Sequence, residues 1–305
     1  MSQSIASRNV LNIQKKEAIG RENSVPLRHL ARLRESGMMQ DEKTVRYIGE
    51  LSGIEETQNP QLQRHLPFSA PLIWLKRGWS DMVTQPLPSL AYGVAVFALS
   101  AISVWILVRY GRDYLLFPVL SGLLIVAPFF ATGLYLKSRN LAEKKPVSLA
   151  KMVGVQPRAG AQVFFTGMLL CMLMLLWMRA AVIIYALFFG VNPFPGLDGI
   201  AHLLFATPTG WAMLLVGLVV GGLFAGFAFA IGVFSIPMLL DERVDAFTAM
   251  GLSAALVWNN LAPMLVWGAI VLALFLASVA TGFLGLIVVF PLLGHATWHA
   301  YKAMR

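Results

Sequence analysis

Charge is scarce in this chain. Its 305 residues include 24 Lys/Arg and 15 Asp/Glu, or 13 per cent charged, against about 25 per cent in an average soluble domain. The deficit is concentrated: residues 199–240 and 246–301 contain no Lys, Arg, Asp or Glu. Such runs far exceed the ~20 residues that cross a bilayer core, which excludes an ordinary soluble enzyme and reads as a multi-pass membrane protein. Cysteine is nearly absent as well, and the single Cys171 can form neither an internal disulfide nor a Cys-rich zinc or iron–sulfur site. Five histidines leave little for metal chemistry. The start, MSQSIASRNVLNIQKKEAIG, lacks the apolar core of a signal peptide, so the first internal hydrophobic segment is expected to direct insertion. There is no Gly-rich phosphate loop and no acidic pair within an apolar run, which leaves ATP-driven or carboxylate-based proton coupling without a visible carrier.

What is present organises into a polar leader and six apolar spans. Residues 1–66 read as a polar, partly disordered cytoplasmic extension, with an amphipathic turn or two around Pro26 to Arg34. Residues 67–305 read as the membrane domain. It opens with an interfacial helix at 71–82 (PLIWLKRGWSDM), whose Trp74 and Trp79 suit headgroup depth and whose Lys76 and Arg77 suit anionic lipid. Spans are expected at about 89–108 and 114–136, then over 161–191. The last of these is about 45 Å if helical throughout, so it must tilt or leave the membrane at one end. An outer insertion, re-entrant or surface-lying, occupies 192–208, a fourth span covers about 211–234, an interfacial stretch 246–258, and two short spans fill 262–301. Prolines 128, 237 and 291 each fall late in the second helix of a pair, so three consecutive helical hairpins describe the chain. The expected fold is an all-α membrane protein of about six transmembrane helices arranged as three helical hairpins.

The net charge of +9 raises nucleic acid as a partner, but the cations are in the wrong places for it. Residues 1–66 hold ten Lys/Arg and eight Asp/Glu with no basic stripe, whereas 137–158 hold Lys137, Arg139, Lys144, Lys145, Lys151 and Arg158 against Glu143 alone. A cationic loop between two spans is a topology signal. It predicts both termini in the cytoplasm and, in a bacterium, residence in the inner membrane, with the lipid bilayer as a partner and no nucleic acid.

Several stretches resemble a known family. They are Trp74 to Pro86 with its Gly78-Trp79 and Asp81, APFFATGLY at 127–135, FPGLDG at 194–199, SIPMLLDERVDAFTAM at 235–250 and GLIVVFPLLGHATWHAYKAM at 285–304. Over roughly residues 70–304 the chain is similar to the predicted prokaryotic integral membrane proteins known as domain of unknown function 2189. The resemblance implies a membrane location and no defined activity; some members carry the label of cytochrome c oxidase subunits.

Few residues offer chemistry. His295 and His299 stand four apart on the last helix, the spacing that presents two imidazoles to one metal, but the pentapeptide HATWH puts Ala296 where a zincin has its general-base glutamate. They are weak metal candidates, weighed against an interfacial His/Trp/Tyr cluster. With His202 predicted about a bilayer away, the histidines cannot serve the haems and copper of a catalytic oxidase subunit. Arg179 interrupts an uncharged span, where isolated burial of a cation costs at least ~2.5 kcal/mol. It either snorkels, pairs with Asp198 or Asp113, or marks an anionic-solute site to which Asp198 and His202 belong as polar neighbours. Gly217, Gly221, Gly222 and Gly226 give the fourth span a small-residue face suited to close helix packing. Gly251-Leu252-Ser253-Ala254 lacks the setting of a nucleophilic serine and reads as packing. The chain is therefore expected to be no enzyme and to need no cofactor. It reads as an accessory, assembly or scaffold component that binds membrane proteins or lipids, a respiratory complex among the possible partners; the alternative is a transporter or channel for a small, even anionic, solute. Oligomeric state is left open.

Overall fold

The computed structural model describes residues 62–190 and 195–305, without the side chains of Leu197 and Asp198. The expected extension at 1–66 lies almost wholly outside the described residues, as does the start of the outer insertion. Among the described residues the regular structure is entirely helical: α1 Ala70–Val83, α2 Pro86–Arg109, α3 Leu116–Phe130, α4 Thr132–Ala142, α5 Leu149–Val153, α6 Gly160–Phe189, α7 Gly196–Phe205, α8 Pro208–Gly232, α9 Ser235–Asp241, α10 Ala246–Asn259, α11 Leu261–Ala280 and α12 Leu286–Met304.

Five segments are long and apolar enough to cross a membrane: α2, Asp113–Ala142 (a 3-10 turn with α3 and α4), α6, Pro208–Asp241 (α8 with α9) and α11. α12 makes about six. Its first half is apolar, while its second half carries His295, Thr297, Trp298 and Tyr301 and is buried in the protein. Length keeps α10 from spanning, since 14 residues rise only about 21 Å.

Local chemistry sets the breaks. Pro71 and Pro86 open α1 and α2, where a missing N–H costs nothing. Pro128 frees a carbonyl one turn back, and α3 gives way to α4 at Ala131. Between α8 and α9 the backbone is repaired from a neighbour: Ser253 on α10 accepts from the Phe234 amide (3.1 Å) and donates to the Ala230 carbonyl (2.7 Å). A broken span needs such a partner, because lipid offers none.

Successive long helices run antiparallel, so the chain has two ends. One, the packed end, gathers α1, α4, α5, α9, α10 and the second half of α12 around a core that includes Trp74, Leu134, Tyr135, Met152, Phe234, Leu239, Leu256 and Trp267. Trp74 and Trp267 meet edge to face, with ring centroids 5.8 Å apart. Trp79, by contrast, stays exposed on α1. The tryptophan pair expected at headgroup depth is therefore split, because Trp74 shares the inward face of α1 with Gly78 and Met82.

The rim of this end is tied by polar contacts. Tyr301 and Arg305 both donate to Glu242 (2.8 Å each), and Lys302 pairs with Asp241 (3.1 Å). Arg64 donates to the Met304 carbonyl, and Asn260 donates to the Leu62 carbonyl. These contacts account for Asp241 and Glu242, the acids that mark the exit of the fourth span in the sequence.

At the opposite end lie the turn at 110–112, α7 and the turn at 281–285. The extensive packing between spans is α3 on α6, α6 on α8, and α12 on α2. α12 thus closes onto the beginning of the membrane domain as well as onto its hairpin partner α11.

Candidate functional site: a buried polar cluster

α12 approaches α1 and α2 closely because two glycines leave it room. A Cβ at Gly78 would lie 2.6 Å from the Ala296 nitrogen, and one at Gly93 would lie 2.0 Å from the Ile287 carbonyl oxygen. With α4 against the same helix, four elements converge and bring together six polar side chains: Asp81 from α1, Ser89 from α2, Lys137 and Ser138 from α4, and His295 and His299 from α12. Ser89, Lys137, Ser138 and His295 are buried, while Asp81 and His299 keep a narrow exposed edge.

Donor counting orders the cluster. The Lys137 ammonium, which can only donate, bonds the Gln85 carbonyl (2.8 Å) and Ser89 Oγ (2.7 Å). Ser89 Oγ also contacts His295 Nε2 at 2.9 Å, and no other acceptor for its hydrogen occurs among the described contacts. That hydrogen therefore goes to Nε2, which makes Nε2 the acceptor and leaves Nδ1 protonated and donating to Ser138 Oγ (2.8 Å). The far side holds Asp81, whose Oδ2 is 2.8 Å from His299 Nε2. Burial pushes the Asp81 carboxyl up, but hydrogen bonds from His299 and Ser138 outweigh it and hold the group below the usual carboxylate range. A lysine cation and an aspartate anion are thus joined through three neutral relay groups, an arrangement that lets two charges remain inside the fold.

Three sequence expectations change here. Lys137, counted among the inside-facing loop cations, is a buried structural group, because α4 continues the span beyond Ala131 and turns Lys137 toward α2; its neighbour Arg139 bonds the Leu240 carbonyl on α9. His295 and His299, though on one helix, do not converge on a common point: both nitrogens of His295 are engaged by serines, and His299 faces Asp81. No group of three or more His, Cys, Asp or Glu suited to a metal occurs among the described residues. The small-residue face of α8 is mostly unused within the chain, since a Cβ at Gly217, Gly222 or Gly226 would meet open space and only Gly221 packs, against the Trp177 ring at 3.0 Å. α6 reaches α8 along one stripe, and the other glycines point away from it.

Arg179 and His202 are exposed, on α6 and α7. Arg179 has no ion pair among the described residues, and the expectation for Asp198 lies outside the described side chains. Asp81, Ser89, Lys137 and Ser138 were missed as site residues. The one available signal was Lys137-Ser138 in register with the apolar face of a span; Ser89 and Ser138 reach His295 across 206 and 157 residues of chain.

The comparisons with known proteins bear on the middle of the chain. A family described as predicted integral membrane protein (DUF2189) matches residues 116–241. Over that stretch the chain resembles this family. The match runs from α3 through α9, which is shorter than the resemblance read from 70 to 304. It includes Lys137 and Ser138 but not Asp81, Ser89, His295 or His299. No curated protein and no solved structure matches the chain.

Proposed function

We propose that this integral membrane protein is a non-enzymatic accessory, assembly or scaffold component that binds other membrane proteins or lipid. The carrying observation is where polar and apolar groups lie. The polar groups that converge between α1, α2, α4 and α12 are engaged with one another, whereas long apolar faces of the spans are left uncovered by the chain itself. Leu215, Leu218, Val219, Leu223 and Phe227 on α8 and Leu175, Leu176 and Ile183 on α6 are exposed. Such faces meet either lipid tails or the helices of another membrane protein, and the open glycines of α8 suit a close-packed partner. The label carried by some members of the resembling family makes a respiratory complex a reasonable first partner to look for.

The cations near the packed end support a cytoplasmic side for that end and for both termini, and with it, in a bacterium, an inner-membrane residence. The transport reading draws on Arg179, the proline-broken helices and the three repeated units, and the exposure of Arg179 on α6 gives it no specific support. Purification through a C-terminal tag in mild detergent, with mass spectrometry of everything recovered, tests the proposal. Reproducible recovery of a stoichiometric membrane protein or lipid class supports it; reproducible recovery of the chain alone overturns it.

A further inference from the structure

The cluster has a direction that a scaffold does not require. Hydrogens run from Lys137 through Ser89 and His295 to Ser138, each group donating to the next, and Ser138 in turn interacts with Asp81. The same Lys137 donates to the Gln85 carbonyl. Gln85 lies with Thr84 between α1 and α2, and its φ of +55° is a left-handed conformation that non-glycine residues rarely adopt. Lys137 thus latches a strained corner, and it does so from inside the protein with a relay leading to the partly exposed edge.

We propose that Lys137 is a proton-binding site, reached through the Ser89–His295–Ser138–Asp81 relay, and that its protonation latches the α1–α2 corner.

The transfer balances as follows. Lys137 passes one ammonium proton to Ser89 Oγ while Ser89 passes its own hydrogen to His295 Nε2. His295 releases the Nδ1 hydrogen to Ser138, and Ser138 gives its hydrogen to the Asp81 carboxylate. Lys137 becomes a neutral amine and Asp81 a carboxylic acid, which loses its proton to water at its exposed edge. The net change is one proton released. The charge-assisted bond to Gln85, about twice as strong as its neutral counterpart, is then weakened, and the corner loosens as pH rises.

The groups that face this site are few. α1 contributes Asp81, α2 the Ser89 hydroxyl and the Gln85 carbonyl, and α12 His295 and His299. Asp241 at the end of α9 and Glu242 after it are engaged by Lys302, Tyr301 and Arg305, and α9 meets α4 through Arg139. The loosened element would be α1, which exposes Leu72, Ile73, Trp79 and Val83, so proton release would alter how this apolar face is held against the span that follows.

The proposal is independent of the partner reading and is tested on the full chain in detergent micelles or nanodiscs. Nitrogen-15 NMR of histidine-labelled wild-type protein at pH 7, assigned through variants of the other histidines, reads the relay directly. A neutral His295 with its proton on Nδ1 supports the proposal, and a proton on Nε2 or a charged ring overturns it. Hydrogen exchange of the last turn of α1 and the second turn of α2, corrected for intrinsic rates, reads the latch between pH 6 and 10. Protection is expected to fall at least tenfold with rising pH in wild type and to stay level in Lys137→Arg, which keeps its charge. A level wild-type profile, or the same fall in Lys137→Arg, overturns the proposal; if that variant does not fold, the NMR result and the wild-type profile decide.

Discussion

The packed end and the far half of α8 are built from similar residues put to opposite use. Both are rich in glycine. Where α12 packs on α1 and α2, Gly78 and Gly93 stand alone in their helices, with no small-residue repeat, yet each has the backbone of α12 pressed against it. On α8, Gly217 and Gly221 and likewise Gly222 and Gly226 stand four apart, and of these Gly217, Gly222 and Gly226 face open space. Charge follows the same division: Lys137 is buried and bonded, while Arg179, in the middle of an apolar span, is exposed. A repeat on one helix records what that helix can pack against. What it does pack against depends on a second helix arriving there.

The contrast can be broken most sharply at the glycines. Gly93→Leu puts a side chain where the Ile287 carbonyl already sits, and is expected to cost about 3 kcal/mol or more, or to abolish folded protein, because backbone must move. Gly222→Leu should leave the monomer's stability within about 0.5 kcal/mol. Thermal unfolding in detergent, followed by tryptophan fluorescence, compares the two, and equal tolerance would erase the distinction between the regions.

The polar groups come next. His295→Leu leaves Ser89 and Ser138 each short of a buried partner, for an expected loss of about 2–4 kcal/mol. Arg179→Leu should change stability by less than about 0.5 kcal/mol. A solute site at Arg179 would instead show as a lost transport or binding activity with stability unchanged, which is the outcome that would revive the transport reading.

A smaller effect is expected from acid. The fold holds Asp81 below its ordinary value of 3.8, so the native state binds its proton less readily than the unfolded chain does. Its contribution to stability is complete above about pH 5 and is lost as the pH falls through 3.8 and below. Asp81→Asn should flatten this part of the stability–pH curve in acid denaturation, and an unchanged curve would mean that the Asp81–His299 contact contributes nothing. Last, Arg305→Ala removes a rim contact to the partly exposed Glu242 and should cost about 0.5–1 kcal/mol by the same melting assay.

The outline of the fold was readable from the chain. Charge-free runs marked the spans, and α1 appears at 70–83 where an interfacial helix was expected at 71–82; prolines 128 and 237, read as lying late in the second helix of a pair, fall beside breaks in the helix. Ser253, read as a packing residue, turns out to repair the break between α8 and α9. The cluster was not readable. His295 and His299 drew attention through their spacing, but spacing along one helix says nothing about which helices face it, and Asp81, Ser89 and Lys137 looked like an interfacial acid, a span-start serine and a loop cation. Lys137 was misplaced for a local reason as well, since the span was expected to end at 136 and the helix continues through Lys137 to Ala142.

Taken alone, the sequence determined that this is an all-helical integral membrane protein of about six spans with a cationic surplus near one end, because hydropathy over ~20 residues and the placement of Lys and Arg are properties of local stretches. Tertiary structure alone decided which polar residues sit together, which glycines are contacts and which cation is buried. Those outcomes depend on α12 returning to α1 and α2 across some 200 residues of chain, and a stretch of sequence carries no local mark of the helix that will come to lie against it.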